Sequence, residues 1–239
     1  MRLVLLPLKT HPRRPTENFT HFVQVVRALL KPPRPDLIVL PEATFTGYLY
    51  EPQDLETFAE PIPGPTTARM AECARTWGVW LGFGLLERTA QGIFNTAVLL
   101  DRSGRMVLKH RKIAEQPPFL RGSRVPLAQT EFGRLAFLIC GDLFDEEAWQ
   151  QIPRNTRLVL VPMARGFDRV SPDPERWERE ERRAYQEAVA RLGVTTALVN
   201  ALEVETEDPS FGGAMLVAGD GRVLAESPHG TDMPLVVNV

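Results

Sequence analysis

A chain of 239 residues with 44% hydrophobic and 24% charged side chains has an ordinary globular composition, and it is long enough to bury a substantial core. Its formal net charge of -2 argues against nucleic acid and anionic membrane surfaces as partners. Two cysteines, Cys73 and Cys140, make no disulfide framework, and no apolar run is long enough for a signal peptide or a membrane span, so we expect a cytoplasmic protein.

The first half of the chain alternates short apolar runs with segments of helical periodicity. In chain order we predict a strand over 3–6, a helix over 16–30, a strand over 36–40, a helix over 66–77, a strand over 79–86 and a hairpin with strands 94–100 and 106–113. The residues after Pro41 predict a loop that extends to Pro65. The sequence Asp101-Arg-Ser-Gly104 is typical of a hairpin turn.

The segment from Arg134 to Glu147 carries the first sign of chemistry. Its apolar run, between Gly133 and Gly141, predicts a strand buried on both faces with Cys140 as its last residue. Asp142 is a favourable N-cap for a helix over about 143–152, whose positive end would favour the Cys140 thiolate. The bare backbone N–H of Gly141 would then meet an oxyanion. A buried structural cysteine is the alternative.

The remainder of the chain continues the alternation and then changes to hairpins. We predict a strand over 157–161, a charged helix with a solvated face over 175–192, a strand over 195–200 and a hairpin with strands 211–218 and 222–225. This order of elements predicts one α/β domain with a mixed sheet, or two sheets packed face to face.

Reactive side chains follow three of the predicted strands. Glu42 comes after an apolar strand, where burial would raise its proton affinity and make it a general base. Lys112 is one of only four lysines among 28 basic residues, and strand alternation places it on the face of His110, opposite Arg111. Cys140 is the third. Taken alone, Glu42 is better explained as a surface residue or a helix N-terminal acid, and Lys112 as a solvated basic strand end.

Together these motifs resemble those of the carbon–nitrogen hydrolase (nitrilase) superfamily, in the same order along nearly the whole chain. The resemblance rests on Leu40-Pro-Glu42-Ala-Thr-Phe-Thr-Gly47-Tyr48, on His110-Arg-Lys112-Ile113 after the Gly104 turn, on Ile139-Cys140-Gly-Asp142 with Glu147, and on a shorter match at Phe94-Asn95-Thr96. It implies an α/β fold, a four-layer α-β-β-α sandwich of two mixed sheets packed face to face. One carbon–nitrogen hydrolase domain would cover residues 1–239.

The resemblance also implies cleavage of a small amide by Glu-Lys-Cys catalysis without a metal or other cofactor. Cys140 would attack the acyl carbon, Glu42 would move the proton, and Lys112 with the Gly141 N–H would stabilise the oxyanion of a cysteine thioester pathway. Glu115 is a candidate second glutamate, at a shorter spacing from Lys112 than in many relatives. A homodimer is the expected assembly.

Several alternatives stay open from the sequence. The same three residues would suit nitriles, acyl transfer to an amine, or a binding protein that retains the fold without turnover. A Cys–His hydrolase with His110 as the base is the nearest rival, but none of the four histidines sits in a recognisable partner motif. The scattered cysteines and histidines have no spacing that suits a zinc site. A solvated loop is a simpler interpretation of the acidic run Glu203, Glu205, Glu207 and Asp208 than a cation site. The pocket wall is predicted among aromatic and apolar residues near strand ends, namely Tyr48, Phe144 and Met163, with Phe45 and Phe119.

Overall fold

A computed structural model describes residues 1–167 and 169–239. In chain order its strands are β1 (Arg2–Leu5), β2 (Lys9–Thr10), β3 (Leu37–Val39), β4 (Trp80–Thr89), β5 (Gly92–Leu100), β6 (Met106–Arg111), β7 (Leu127–Thr130), β8 (Gly133–Phe137), β9 (Leu158–Met163), β10 (Thr196–Asn200), β11 (Leu202–Glu203), β12 (Ala214–Val217), β13 (Val223–Glu226) and β14 (Leu235–Asn238). The α-helices are α1 (Pro15–Leu29), α2 (Pro52–Phe58), α3 (Pro65–Trp77), α4 (Glu146–Trp149), α5 (Pro174–Arg176) and α6 (Arg182–Leu192). A 3-10 helix covers Cys140–Phe144 and a π-helical turn covers Trp177–Glu181.

The strands form two six-stranded mixed sheets. The first has the order β14-β1-β3-β4-β5-β6, and the second has the order β13-β12-β10-β9-β8-β7. In each sheet three central strands run parallel, β1-β3-β4 in one and β8-β9-β10 in the other, and the outer strands pair antiparallel. The short strands β2 and β11 form a separate parallel pair.

The two sheets pack face to face, and helices cover their outer faces. Residues from both sheets share one core cluster, which includes Leu3, Val39, Phe137, Leu160 and Val199. Helices α1 and α3 pack on the first sheet, and α6 packs on the second. This arrangement confirms the four-layer sandwich.

Strand β9 contains no polar residue because both of its faces are covered. Leu158 and Leu160 face the first sheet, whereas Val159 and Val161 face α6, because successive side chains point to opposite faces. Both faces are therefore buried, and each such aliphatic side chain contributes about 1.5–3 kcal/mol of transfer free energy.

The segment around Cys140 differs from the sequence expectation. Strand β8 ends at Phe137, so the prediction that Cys140 is the last strand residue is wrong; it begins the 3-10 helix with a left-handed φ of 45°. The predicted helix over 143–152 is also wrong: only the four-residue α4 forms, and Asp145 rather than Asp142 caps it. Asp142 is instead held by tertiary hydrogen bonds that compete with capping.

Two other segments depart from the prediction. Helix α2 lies inside the predicted loop. The predicted helix over 175–192 is interrupted by the π-helical turn, and its later part is not simply solvated, since Tyr185 and Val189 are buried against the second sheet. Within the described ranges, no helix has the length and apolar character needed to cross a bilayer.

Candidate active site

Glu42 is a buried carboxylate at the carboxyl end of β3. Its side chain is 1% exposed, and both oxygens accept hydrogen bonds. Oε1 accepts from Asn95 Nδ2 at 2.5 Å and from Lys112 Nζ at 3.0 Å, and Oε2 accepts from the Ala164 N–H at 2.9 Å. The next residue, Ala43, has a left-handed φ of 43°, an unfavourable conformation for a residue other than glycine. Three elements from different parts of the chain therefore fix this carboxylate.

Lys112 lies directly after β6 and is the second buried charge of the site. Its ammonium contacts Glu42 Oε1 at 3.0 Å and Glu115 Oε2 at 3.2 Å, and it lies 5.2 Å from the centre of the Tyr48 ring. Burial is the largest single influence and would lower the pKa of Lys112. The negative charges around it, Glu42 first among them and Glu115 included, together outweigh burial and raise that pKa well above its ordinary value. Lys112 is therefore a permanent cation in the site.

The opposite face of β6 carries a separate ion cluster around Glu87. Its carboxylate accepts from Lys109 Nζ at 2.8 Å, from Arg111 Nε at 2.7 Å and from Thr96 Oγ1 at 2.8 Å. Burial would raise the pKa of Glu87, but these donors lower it to about 2. Lys109 and Arg111 thus share one face of β6, and Lys112, directly after the strand, contacts Glu42 on the other side, as the predicted alternation requires.

Cys140 lies partly exposed in an open pocket with Gly141. Burial raises the pKa of the thiol to about 12, the charge of Glu42 adds to this rise, and Lys112 and the Ala164 N–H only partly oppose it. The helix that was expected to favour a thiolate does not form, because Cys140 begins a 3-10 helix of only five residues, and burial of the thiol favours its protonated form. At neutral pH the sulfur carries its proton.

A buried His110–Asp142 pair joins the segments that carry Lys112 and Cys140. His110 Nε2 donates to Asp142 Oδ2 at 2.8 Å, and the other carboxylate oxygen accepts from the Ile113 and Ala114 N–H groups at 2.8 and 2.7 Å. Burial would raise the pKa of Asp142, but His110 lowers it below its ordinary value. His110 is fully buried and does not line the Cys140 pocket, so it is poorly placed to act as a base.

The Cys140 pocket has a volume of about 490 Å³. Its lining comprises Lys112, Cys140, Gly141, Phe144, Arg165, Glu180, Glu181, Ala184 and Tyr185. The Gly141 N–H has no acceptor among the residues that the structure describes, and it follows the nucleophile candidate directly. A tetrahedral oxyanion in this pocket would find a cation at Lys112 and a free backbone donor at Gly141.

The residues that the sequence predicts for the pocket wall lie in different parts of the structure. Phe144 lines the pocket and is 47% exposed. Tyr48 lies beside Lys112, and its hydroxyl donates to Glu115 Oε2 at 2.7 Å. Met163 is buried below Glu42 and lines a small apolar cavity instead of the pocket. Phe45 packs in the first-sheet core, and Phe119 packs 5.6 Å from the Tyr48 ring.

Glu115 lies next to the buried Glu42–Lys112 pair. Its Oε2 accepts from Asn95 Nδ2 at 3.1 Å in addition to its contacts with Lys112 and Tyr48. The amide of Asn95 therefore bridges the two carboxylates. Glu115 is placed to hold Lys112 and Asn95 in position.

Sequence reasoning missed three residues of this site. Asn95 had a signal in the Phe94-Asn95-Thr96 motif, but nothing there indicated a bridge between carboxylates. Arg165 follows β9 and donates to Glu181 Oε1 at 3.1 Å at the pocket rim. Tyr185 was hidden in a charged helix, where its helical spacing with buried Ala188, Val189 and Leu192 could have indicated an inward side chain.

The acidic run is divided between buried and exposed positions. Glu203, expected in a solvated loop, is buried and accepts from Ser210 Oγ at 2.7 Å and from the Tyr48 N–H at 3.1 Å. Glu205 is exposed and pairs with Arg14 at 3.1 Å. In the part of the chain that the structure describes, no group of three or more His, Cys, Asp or Glu side chains is arranged to hold a metal ion.

Comparison with known proteins connects this geometry to a family. The family model "Carbon-nitrogen hydrolase" matches residues 9–239. A formamidase of Bacillus cereus is 31% identical over 170 residues, which cover 68% of this chain and 50% of the formamidase. A protein of Pseudomonas protegens described as a hydrolase is 30% identical over 161 residues, 64% of this chain and 56% of that protein. The chain spans about half the length of these curated relatives.

Solved structures share the fold at lower identity. An amidase from Nesterenkonia sp. has a TM-score of 0.81 and 21% identity, and the match covers 100% of this chain and 90% of that one. A mutant of the Nesterenkonia amidase with alanine in place of a cysteine, in complex with butyramide, has a TM-score of 0.80 and 20% identity over 100% and 90% of the two chains.

Proposed function

Because this chain belongs to the carbon–nitrogen hydrolase family, we propose that it hydrolyses a small amide to a carboxylic acid and ammonia through a thioester on Cys140. One observation carries the proposal: a buried Glu42–Lys112 pair at 3.0 Å lies beside a cysteine whose thiol opens into a pocket. A protonated thiol needs a base, a carboxylate provides one, and a fixed cation stabilises the anion that the attack creates.

Acylation begins with proton transfer from the Cys140 sulfur to Glu42. The sulfur electron pair forms a bond with the amide carbon, and the carbonyl electrons move to oxygen. Lys112 and the Gly141 N–H hold this oxyanion. When the intermediate collapses, the carbon–nitrogen bond breaks, Glu42 returns the proton to nitrogen, and ammonia leaves.

Deacylation repeats the same proton movements with water. Glu42 takes a proton as water attacks the thioester carbon, and Lys112 again stabilises the oxyanion. Collapse breaks the carbon–sulfur bond, and the proton from Glu42 returns to sulfur. Glu115 and Asn95 would act as positioning residues, because they hold Lys112 and Glu42 in one arrangement.

The amide is favoured over a nitrile because the relatives above are described as a formamidase and an amidase. Acyl transfer to an added amine uses the same thioester, and it would appear as amide exchange in place of net hydrolysis. A binding protein without turnover would show neither reaction.

The test is ammonia release from a panel of small amides, ureido acids and nitriles, with acid formation measured in parallel. We expect release from small amides by the parent and a loss of at least about 100-fold in Cys140→Ala, in line with removal of a catalytic group. Cys73→Ala is the matched control, because Cys73 lies half-buried on α3 with the first-sheet core. Equal release by the parent and Cys140→Ala would contradict the proposal.

Three further expectations stay predictions from the sequence. They are that residues 1–239 form a single carbon–nitrogen hydrolase domain, that the protein is cytoplasmic, and that it assembles as a homodimer.

A further inference from the structure

Tyr185 lies between the Cys140 pocket and a second, smaller cavity. On one side its side chain lines the Cys140 pocket, where its ring lies 5.4 Å from that of Phe144. On the other side it lines a narrow apolar cavity, where its ring lies 6.1 Å from that of Trp177. Tyr185 is the one residue that lines both spaces among those that the structure describes.

The cavity behind Tyr185 is small and mostly apolar. It holds about 20 Å³, roughly the room for one water molecule. Its wall includes Met163, Leu198, Phe211 and Met215. Three polar side chains also line it. Asn200 is bonded to the Arg165 backbone at 2.7 and 2.9 Å, and Ser227 Oγ accepts from the Ala214 N–H at 2.8 Å. The His229 ring stacks 5.0 Å from Trp177, and neither of its nitrogens has a hydrogen-bond partner among the described residues. As it stands, this space is too small for a ligand.

Tyr185 is held firmly in this dividing position. It projects from α6 into the second-sheet core, and only 2% of the residue is exposed. Its side chain lines the same pocket as Cys140, together with Glu181 and Arg165. An acyl chain bound at Cys140 would meet this ring before it could reach the cavity.

We propose that Tyr185 is a specificity-determining residue that closes the apolar end of the acyl site and restricts the enzyme to short acyl chains. This proposal rests on the proposed function, since it concerns the acyl group carried by Cys140. A smaller side chain at position 185 would vacate the space that the tyrosine ring occupies and connect the Cys140 pocket to the apolar cavity. The joined space would accept methylene groups that the parent excludes.

The test compares primary amides with acyl chains of two, four and six carbons. In the parent, kcat/KM should fall as the chain lengthens. In Tyr185→Leu and Tyr185→Ala the order should reverse, with a gain of about three- to fourfold per buried methylene relative to the two-carbon amide. Tyr185→Phe, which retains the ring and removes only the hydroxyl, is the matched control and should keep the parent's order.

A second measurement does not depend on turnover. The rate of Cys140 alkylation by 2-bromoacetamide, 2-bromobutanamide and 2-bromohexanamide is followed by mass spectrometry, and each variant is expressed relative to the parent. Tyr185→Leu and Tyr185→Ala should favour the six-carbon reagent. A purely structural role would change all three rates by one common factor.

The outcomes separate the two proposals. Parent activity that is equal for two- and six-carbon amides, or a variant order identical to the parent's, would overturn the role of Tyr185 and leave amide hydrolysis standing. No hydrolysis of any amide would overturn the proposed function. The alkylation ratios would then still decide whether Tyr185 limits the acyl site.

Discussion

Replacement of Glu42 by glutamine should separate the two effects that this carboxylate has on Cys140. The substitution keeps the size of the side chain and removes its negative charge and its ability to take a proton. Burial and the charge of Glu42 raise the thiol pKa to about 12, so the sulfur is almost entirely protonated at pH 7. Attack on an amide therefore depends on proton removal during the reaction, and general bases contribute about 10²- to 10⁴-fold.

We expect Glu42→Gln to lower kcat for amide hydrolysis by about 10²- to 10⁴-fold. The thiol pKa should fall, which a general loss of structure at the site would not explain. The charge of Glu42 raises the pKa of Cys140, so its removal should lower that pKa and increase the thiolate fraction at alkaline pH. A variant with more thiolate and less turnover would identify Glu42 as the proton carrier.

The assay measures ammonia release together with the pH dependence of Cys140 alkylation by iodoacetamide, in a Cys73→Ala background. Glu115→Gln is the matched control, because Glu115 also contacts Lys112 but, unlike Glu42, does not accept from the Ala164 N–H and is not among the main charges that raise the thiol pKa. It should retain more activity than Glu42→Gln. Hydrolysis by Glu42→Gln within threefold of the parent would refute the reasoning, and so would a rise in the thiol pKa.

Three other changes have defined consequences. Lys112→Met should lower kcat by about 10²- to 10³-fold, because one oxyanion donor is lost, and it should raise the thiol pKa, because a nearby cation is removed. In urea titrations at a series of pH values, the parent should lose stability as the pH falls from about 4.5 towards 2, where the paired Glu87 becomes protonated, and Glu87→Gln should show a smaller dependence in that range. Asp142→Asn should lower the unfolding free energy by about 3–5 kcal/mol in the same titrations at pH 7, since it leaves His110 and backbone donors without a charged acceptor.

Each of these has its own contrary result. A thiol pKa unchanged in Lys112→Met would show that the ammonium does not act on the sulfur. Identical pH profiles for Glu87→Gln and the parent would mean that this ion cluster adds nothing to the folded state. Glu147→Gln, on an exposed side chain, serves as the control for both stability measurements. If Asp142→Asn had the same unfolding free energy as Glu147→Gln, the His110–Asp142 pair would not stabilise the junction between the segments that carry Lys112 and Cys140.

The candidate triad shows how far short-range patterns reach. The apolar runs before Glu42 and Cys140 marked two strands, and alternation assigned Lys112 and Arg111 to opposite sides of the predicted strand over 106–113. Such features depend on a few neighbouring residues, so they are visible in the order of side chains. The resemblance of the three motifs to a family then joined residues that lie 98 positions apart between Glu42 and Cys140.

What surrounds the triad depends on contacts across the fold. Asp142 looks like a helix cap in the sequence, but His110 and the Ile113 and Ala114 N–H groups, about 30 residues away, bind its carboxylate instead. The thiol pKa depends on burial and on Glu42, and the wall at Tyr185 depends on how α6 packs on the second sheet. The order of residues therefore determined the central strands and the reactive groups that follow them, although it placed the end of the strand before Cys140 too late. Only the tertiary structure decided the protonation of the sulfur and the shape of its pocket, because both arise from groups that the chain brings together from distant segments.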